Sequence, residues 1–128
     1  MSMTIVSTTN APAAVGPYSQ AIKARGLVFV SGQLGLDPAT GKFVSGGVEE
    51  QARQAISNLE AILKEAGAGL HKVVKTTVLL ADMADFAAVN GVYSQCFLDH
   101  RPARAAYAVA DLPLGGLVEI EAIAVDGD

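Results

Sequence analysis

The sequence predicts an α+β domain in which two helices cover one face of a mixed β-sheet. Two long segments repeat apolar residues at intervals of three and four, which is the period of an amphipathic helix. Short segments rich in β-branched residues flank these two, and residues 73–80 between them form the predicted central strand. The predicted order is strand, strand, helix, strand, helix, strand, strand.

The first two strands form a predicted hairpin around Gly26. Residues 21–25 and 27–31 have strand-like composition on either side of this glycine, and residues 31–33 end the second strand. The preceding segment, Asn10 to Tyr18, contains two prolines and a glycine. These residues interrupt regular structure, so we expect an extended loop there.

Both predicted helices have recognisable end signals. The first covers residues 48–66, begins after Gly47 and is stopped by Gly67. Asp82 is the predicted N-cap of the second helix, and Pro102 prevents its continuation. The apolar stripe of the second helix consists of Phe86, Val89, Tyr93, Cys96 and Phe97.

Arg104 is the most informative charged residue, because residues 102–109 around it are predicted to be a buried strand. A buried guanidinium needs a carboxylate, supplied either by the chain or by a ligand. Residues 117–125 form another predicted strand, in which period-two alternation places Glu119 and Glu121 on one face. Two interpretations stay open: an internal Arg–Glu ion pair that only holds the fold, and a site for an anionic ligand.

The length and composition favour a single domain, residues 1–128, that associates with copies of itself. Hydrophobic residues make up 51% of the 128 residues and charged residues only 17%. A monomer of this size cannot easily hide so much apolar surface. If both helices lie on one face, the other face is expected to be covered by a neighbouring copy, and clefts between copies could bring Tyr18 and Arg104 together.

The remaining bulk properties exclude several classes of partner. A net charge of -4 and an aromatic content of 5% make nucleic acid an unlikely partner. The single cysteine, Cys96, excludes an internal disulfide and suits a reducing compartment. No signal-peptide pattern or membrane-spanning run is found, so we expect a cytoplasmic protein without a membrane partner. His71 and His100 are too isolated for a metal site and are interpreted as ordinary surface or loop residues.

Several stretches of the sequence match one known pattern, in order and over nearly the whole chain. They are residues 16–21 (GPYSQA), 31–33 (SGQ), 51–52 with 58–59, 74–78 (VKTTV), 82–86 with 89–90, 102–104 (PAR) and 119–122 (EIEA). Together they resemble the RidA (YjgF/YER057c/UK114) family of reactive-intermediate deaminases. The resemblance implies a chorismate-mutase-like fold assembled as a homotrimer, with three sites at the subunit clefts and neither metal nor cofactor.

The resemblance also implies an activity and a set of site residues. Family members hydrolyse 2-imino acids such as 2-iminobutanoate and 2-iminopropanoate, and their enamine tautomers, to 2-keto acids and ammonia. Arg104 would bind the substrate carboxylate with its planar fork, while Glu119 would prepare the water and move a proton toward departing ammonia. The other positions that match the family's pocket are Tyr18, Ser31, Gly32, Asn90 and, through its backbone, Ala106.

Each pocket position also has a purely structural interpretation. In that interpretation Tyr18 does no more than anchor its loop, Asn90 bonds a nearby backbone group, and residues 31–32 only form the turn at the end of the strand. Residues 105–106 are Ala-Ala, where many bacterial relatives carry Ser-Cys, so no thiol is available at that point.

Two further functions stay open, since both have been ascribed to relatives. The first is RNA cleavage or translational inhibition, against which the acidic net charge counts. The second is a non-catalytic role, as a ligand-binding or chaperone-like trimer. The role of Glu121 is also open: it could neutralise a basic group beside the site or form a structural pair with Lys75.

Overall fold

A six-stranded mixed sheet with two helices forms the part of the chain that the structure, a computed structural model, describes, residues 2–127. The strands are β1 (Thr4–Val6), β2 (Ala21–Ala24), β3 (Leu27–Leu34), β4 (Val73–Leu80), β5 (Ala103–Ala108) and β6 (Val118–Val125); the helices are α1 (Val48–Glu65) and α2 (Phe86–Phe97). The sheet order is β1-β2-β3-β6-β4-β5, and only β4 and β5 pair in parallel. The predicted α+β class is confirmed, and β1 extends the predicted order by one strand.

The predicted hairpin is present, but its second strand is longer than expected. Arg25 and Gly26 have φ values of 53° and 78°, as a two-residue turn that follows the twist of the strands requires. β3 continues past residues 31–33 to Leu34, because a shift of register against β6 between Val30 and Gln33 absorbs the irregular residues. Such a bulge bends the strand locally and re-aims its side chains.

Helix α1 begins and ends where the glycines predict. The N–H of Gly47 donates to Oε1 of Glu50 at 2.9 Å, which satisfies one of the free donors at the start of the helix. Gly67 follows the last turn with a φ of 85°, a left-handed conformation that favours glycine.

Helix α2 begins later than Asp82. The Asp82 carboxylate accepts the N–H of Ala84 at 2.9 Å and so caps a short 3₁₀ turn, Met83–Asp85, from which α2 continues at Phe86. Asp82 therefore caps the entry to the helix and not its first α-helical turn. Neither helix in residues 2–127 has the length and apolar character needed to cross a bilayer.

The core lies between the two helices and one face of the sheet. Alternate residues of the central strands point into it, and full burial of each larger aliphatic side chain contributes roughly 1.5–3 kcal/mol. The core includes Val118, Ile120, Ala122 and Ala124 of β6, Val78 and Leu80 of β4, Ile56, Leu59, Ile62 and Leu63 of α1, and Val89 and Val92 of α2. These residues confirm the apolar stripes that the sequence predicts.

The opposite face, here called the open face, has no helix of residues 2–127 packed on it. The strand register places Ile5, Ile22, Phe29 and Ile123 in one row across four strands. Ile5 is 69% exposed, Phe29 43%, and Tyr107 at the far edge 51%. Contiguous apolar surface of this kind marks an interaction site in soluble proteins.

The prediction that residues 102–109 form a buried strand is wrong for a single chain. β5 is an edge strand that pairs only with β4, and Ala103, Arg104, Tyr107 and Ala108 are exposed. The apolar composition of this segment is typical of a buried strand. Composition does not say which strand neighbours it, however, and the crossover through α2 places β5 at the rim of the sheet.

Candidate active site

Arg104 projects from the edge strand β5 onto helix α2. Its Nη1 donates to Oδ1 of Asn90 at 2.7 Å. Its guanidinium carbon lies 4.9 Å from the ring centroid of Tyr93 and 5.5 Å from that of Phe86. The three helical residues share one side of α2 because they are four and three positions apart. An amide and two aromatic rings therefore form the seat of this cation, and all three are uncharged.

No carboxylate neutralises Arg104 within residues 2–127. The ion pairs of that part of the chain involve other residues, and the only acceptor that Arg104 reaches there is Asn90. Alternation along β6 places Glu119 and Glu121 on the open face, whereas Arg104 lies on the helix-covered face. The interpretation as an internal Arg–Glu pair is therefore wrong, and the remaining N–H groups of the fork are available for an external anion.

Glu119 lies half-buried on the open face beside the bulge of β3. A Cβ atom at Gly32 would lie 2.7 Å from Oε2 of Glu119, so only glycine leaves room for the carboxylate in this position. Burial, and then the negative charge of Glu121, raise the pKa of Glu119 above its usual value. A carboxyl group with a raised pKa is suited to accepting and returning a proton during a reaction.

Ser31 connects the same bulge to the loop that carries Tyr18. Its Oγ donates to the carbonyl of Ser19 at 2.6 Å, and its N–H donates to the carbonyl of Gln20 at 2.9 Å. Tyr18 itself is 51% exposed. Ser31 therefore holds the loop in place, and its hydroxyl proton is already engaged.

Gln20 is a residue whose role the sequence interpretation missed. Its buried amide accepts the N–H of Thr8 at 2.7 Å and donates to the carbonyls of Thr8 and Pro12 at 3.1 and 2.8 Å. It thereby fixes the start of the Tyr18 loop to β2. A glutamine in a loop is usually exposed, so its residue type did not indicate a buried role. The one signal in the sequence was its position within the GPYSQA stretch that matches the family.

The predicted site residues form two separate groups in one copy of the chain. Arg104, Asn90 and the partly buried Ala106 lie together on the helix side of β5. Glu119, Ser31, Gly32 and the Tyr18 loop lie around the β3 bulge. We call these groups the arginine half-site and the glutamate half-site.

A small substrate cannot span the two half-sites of one copy. Arg104 is in register with Thr76 of β4, and Glu119 with Leu79, three residues further along the same strand. Two strand spacings across the sheet and three residues along it separate the Cα atoms of Arg104 and Glu119 by roughly 14 Å. The Arg104 side chain also points to the helix-covered face, whereas the Glu119 side chain points to the open face.

Two concave spaces of the single chain lie away from both Arg104 and Glu119. One, of about 450 Å³, runs along the outer side of α1 between Ser57 and Glu65. Another, of about 440 Å³, lies between β1 and the Tyr18 loop and reaches Pro38. Neither is lined by Arg104 or Glu119.

The minor predictions for single residues have mixed outcomes. Cys96 packs against the core as predicted, and burial raises the pKa of its thiol. A ring nitrogen of His100 lies 2.6 Å from the carbonyl of Val73, so this histidine joins the end of α2 to β4 and is more than a surface residue. Glu121 forms no ion pair with Lys75 within residues 2–127; the Lys75 ammonium lies 3.5 Å from the Thr77 hydroxyl.

Metal ligands do not come together in the described residues: between 2 and 127 no group of three His, Cys, Asp or Glu side chains could hold an ion.

The family model described as Endoribonuclease L-PSP matches residues 8–126. The chain belongs to this family, the RidA family. A protein of Capra hircus named 2-iminobutanoate/2-iminopropanoate deaminase is 61% identical over 123 residues, which are 96% of this chain and 90% of that protein. These findings confirm the resemblance that the sequence motifs indicate.

Solved structures of RidA relatives share the fold over almost their full length. A putative endoribonuclease L-PSP from Entamoeba histolytica has a TM-score of 0.95 and 52% identity, covering 97% of this chain and 99% of that one. TdcF of E. coli, solved with bound serine, has a TM-score of 0.92 and 41% identity, with coverage of 97% and 99%. Serine is a small molecule that carries a carboxylate.

Proposed function

We propose that this chain is a 2-iminobutanoate/2-iminopropanoate deaminase, which hydrolyses reactive 2-imino acids and their enamine tautomers to 2-keto acids and ammonia. The observation that carries the proposal is the seat of Arg104, an arginine held by uncharged groups at an exposed sheet edge, with no carboxylate of residues 2–127 paired to it. A planar guanidinium with free N–H groups fits a small planar carboxylate in a bidentate manner. The names of the closely related proteins support the same reaction.

The reaction needs little beyond orientation and proton transfer. The carboxylate of an imino acid adjoins a C=N carbon that is already electrophilic, so binding by Arg104 orients that carbon for attack. Glu119 takes a proton from the attacking water as the new C–O bond forms, the C=N electron pair goes to the nitrogen, and Glu119 passes that proton to the nitrogen to give a carbinolamine. Glu119 then takes the hydroxyl proton as the C=O bond of the keto group forms and transfers it to the nitrogen, so that the C–N bond breaks and ammonia and the 2-keto acid leave.

The active site is proposed to lie between two copies of the chain. Because the two half-sites of one copy are roughly 14 Å apart on opposite faces, the arginine half-site of one copy would face the glutamate half-site of its neighbour. The apolar open face, with Phe29 and Tyr107, offers the surface for such an association. A homotrimer with three clefts is the arrangement that the family resemblance implies, and we adopt it as part of the proposal.

The remaining pocket residues have distinct proposed roles in this shared site. Gly32 leaves space for the Glu119 carboxylate, and Ser31 holds the Tyr18 loop against the bulge. Tyr18 would form a wall of the pocket on the glutamate side. Ala106 would contribute its backbone beside Arg104, and Asn90 would act through its bond to Arg104.

RNA cleavage is the competing function, because the family description names an endoribonuclease. The chain has 9 Lys and Arg residues against 13 Asp and Glu residues, and its aromatic content is 5%. Neither feature supports a phosphate-binding surface or a base-stacking platform. We therefore favour the small-molecule reaction, and we place it in the cytoplasm, where the free thiol of Cys96 would stay reduced.

A coupled assay tests the proposed function directly. Threonine dehydratase and threonine generate the imine, a scavenger diverts it, and the formation of 2-ketobutyrate is followed. The protein, added at catalytic concentration, is expected to restore 2-ketobutyrate formation over many turnovers. Extra 2-ketobutyrate that never exceeds the molar amount of added protein would favour a non-catalytic binding role, and no acceleration at all would refute deaminase activity.

Replacing Glu119 with glutamine is expected to lower the activity about tenfold. This loss is smaller than the rate enhancement that a general acid–base residue often contributes. The substrate carbon is already activated, and the glutamine amide still positions a water. The proposed base is the deprotonated carboxylate of Glu119. Because its pKa is raised, wild-type activity should begin to fall at a higher pH, as the solution is made more acidic, than it would with a glutamate of ordinary pKa.

The pH profile supplies the control for this prediction. Glu121→Gln removes the second cause of the raised pKa and should move the acidic limb of the rate profile to lower pH. Rates are measured with dehydratase in excess and with the uncatalysed hydrolysis subtracted at each pH. An unchanged acidic limb in Glu119→Gln would mean that another group prepares the water.

A further inference from the structure

A buried pair of hydroxyl groups lies directly beneath Arg104. The hydroxyl of Tyr93 on α2 is 2.7 Å from Oγ1 of Thr76 on β4, and Thr76 is fully buried. Thr76 is also the residue of β4 that pairs in register with Arg104 on β5. The hydroxyl of Tyr93 is thus bonded to β4, while the face of its ring lies against the guanidinium of Arg104 on β5.

We propose that the Thr76–Tyr93 hydroxyl pair is a positioning device that fixes the plane of the Arg104 guanidinium and thereby sets the affinity of the site for a planar carboxylate. This inference deepens the proposed deaminase function and rests on it. Thr76 and Tyr93 touch no substrate in this scheme; they act through Arg104.

The hydrogen bond to Asn90 alone cannot fix the plane of the Arg104 guanidinium. The hydrogen bond from Arg104 to Asn90 fixes one corner of the rigid fork but leaves rotation about that corner free. A ring face beneath the guanidinium removes this rotation, provided that the ring itself does not tilt. The bond to Thr76 ties the tip of the ring to the sheet, so the plane of the ring is set by β4 and not only by packing.

The chemical nature of the pair matters as much as its position. Two hydroxyls are costly to bury unless they bond each other, and apolar residues of the same shape would fill the space without that requirement. Burial raises the pKa of Tyr93, so the hydroxyl stays neutral beside the cation. A neutral seat orients Arg104 without competing with the substrate for its charge, which a carboxylate in the same place would do.

The test uses Thr76→Val, Tyr93→Phe and the double variant, and it separates positioning from stability. Each single substitution leaves one buried hydroxyl without its partner and should lower the melting temperature by about 3–8 °C. The double variant removes both hydroxyls and should recover most of that loss. Binding of 2-ketobutyrate, a stable carboxylate probe, should weaken roughly five- to tenfold in Tyr93→Phe and stay weak in the double variant.

A purely structural role makes the opposite prediction, because affinity would then return together with stability in the double variant. Val92→Ala is the matched control: Val92 is buried on α2, so its truncation lowers stability, and we expect unchanged affinity. In turnover, KM for the imine should rise by the same factor as the dissociation constant, with kcat within about twofold of wild type.

An observation independent of activity separates this inference from the proposed function. The order parameter of the Arg104 Nε–Hε group, measured by NMR in the free protein, should be high in wild type and reduced in the double variant. Retained order, or reduced order with wild-type affinity, overturns the inference even if the enzyme is active. A wild-type protein that neither turns over imine nor binds 2-ketobutyrate overturns the deaminase proposal, whereas loss of Arg104 order in the double variant would still support the seat.

Discussion

Arg104→Ala is expected to abolish the rescue of 2-ketobutyrate formation while leaving the fold intact. The substitution removes the group that orients the substrate carboxylate, and we expect a loss of at least about a hundredfold, equivalent to roughly 2.7 kcal/mol of transition-state stabilisation. The fold should tolerate the change because Arg104 is an exposed residue of an edge strand whose neighbours are already alanines. The measurements are the coupled assay and thermal unfolding of the same preparation.

Two further arginine variants make this experiment specific. Arg104→Lys should be nearly as damaging, because an ammonium keeps the charge but cannot present two parallel N–H groups to a carboxylate. Arg53→Ala is the matched control, since Arg53 is also exposed and also donates to a side-chain amide, that of Gln95 at 3.1 Å, on the helical side of the molecule. Wild-type activity in Arg104→Ala would remove Arg104 from its proposed role.

The helices and turns could be predicted because short stretches of sequence determine them. The apolar period of residues 48–66 and the flanking Gly47 and Gly67 describe α1 to within one residue of its end. The Arg25–Gly26 turn is equally local. The start of α2 was less well predicted, because an Asp N-cap signal does not distinguish a 3₁₀ turn from the first turn of an α-helix.

The environment of Arg104 could not be predicted, because it depends on which strands are neighbours. The sequence shows an arginine in an apolar strand and two glutamates in another, and an ion pair between them is the simplest interpretation. Whether both point to the same face depends on the pairing of β4 with β5 and β6, which brings Thr76 beside Arg104 and Leu79 beside Glu119. The register between strands that are distant in the sequence cannot be predicted from the sequence of either strand alone.

The helical seat of Arg104 left a signal that could have been used. Phe86, Asn90 and Tyr93 are spaced by four and three, so any residue that meets one of them can meet all three. The sequence interpretation placed Phe86 and Tyr93 in a core stripe and treated Asn90 as a separate pocket residue. In the structure Tyr93 belongs to the core, Phe86 packs at its edge, and Asn90 bonds Arg104 beside them; the role of Asn90 in a pocket stays a prediction.

Mixed oligomers should show whether the two half-sites of the active site come from different copies. Protomers carrying Arg104→Ala are combined with protomers carrying Glu119→Gln, by co-expression with two affinity tags or by refolding together. In a cyclic oligomer that assembles at random, about a quarter of the shared sites then contain an intact Arg104 and an intact Glu119. Arg104→Ala alone should contribute almost nothing, and Glu119→Gln alone only its residual rate.

The expected result is an activity about fivefold above the mean of the two separate variants, if Glu119→Gln retains roughly a tenth of wild-type activity. The control is the same pair of proteins mixed after assembly without exchange of subunits, which should give the mean itself. Because a site inside one copy gains nothing from a neighbour's intact residue, co-assembled protomers that also give only the mean would contradict the shared site. The separation of roughly 14 Å between the two half-sites would then have to close by a rearrangement within one chain.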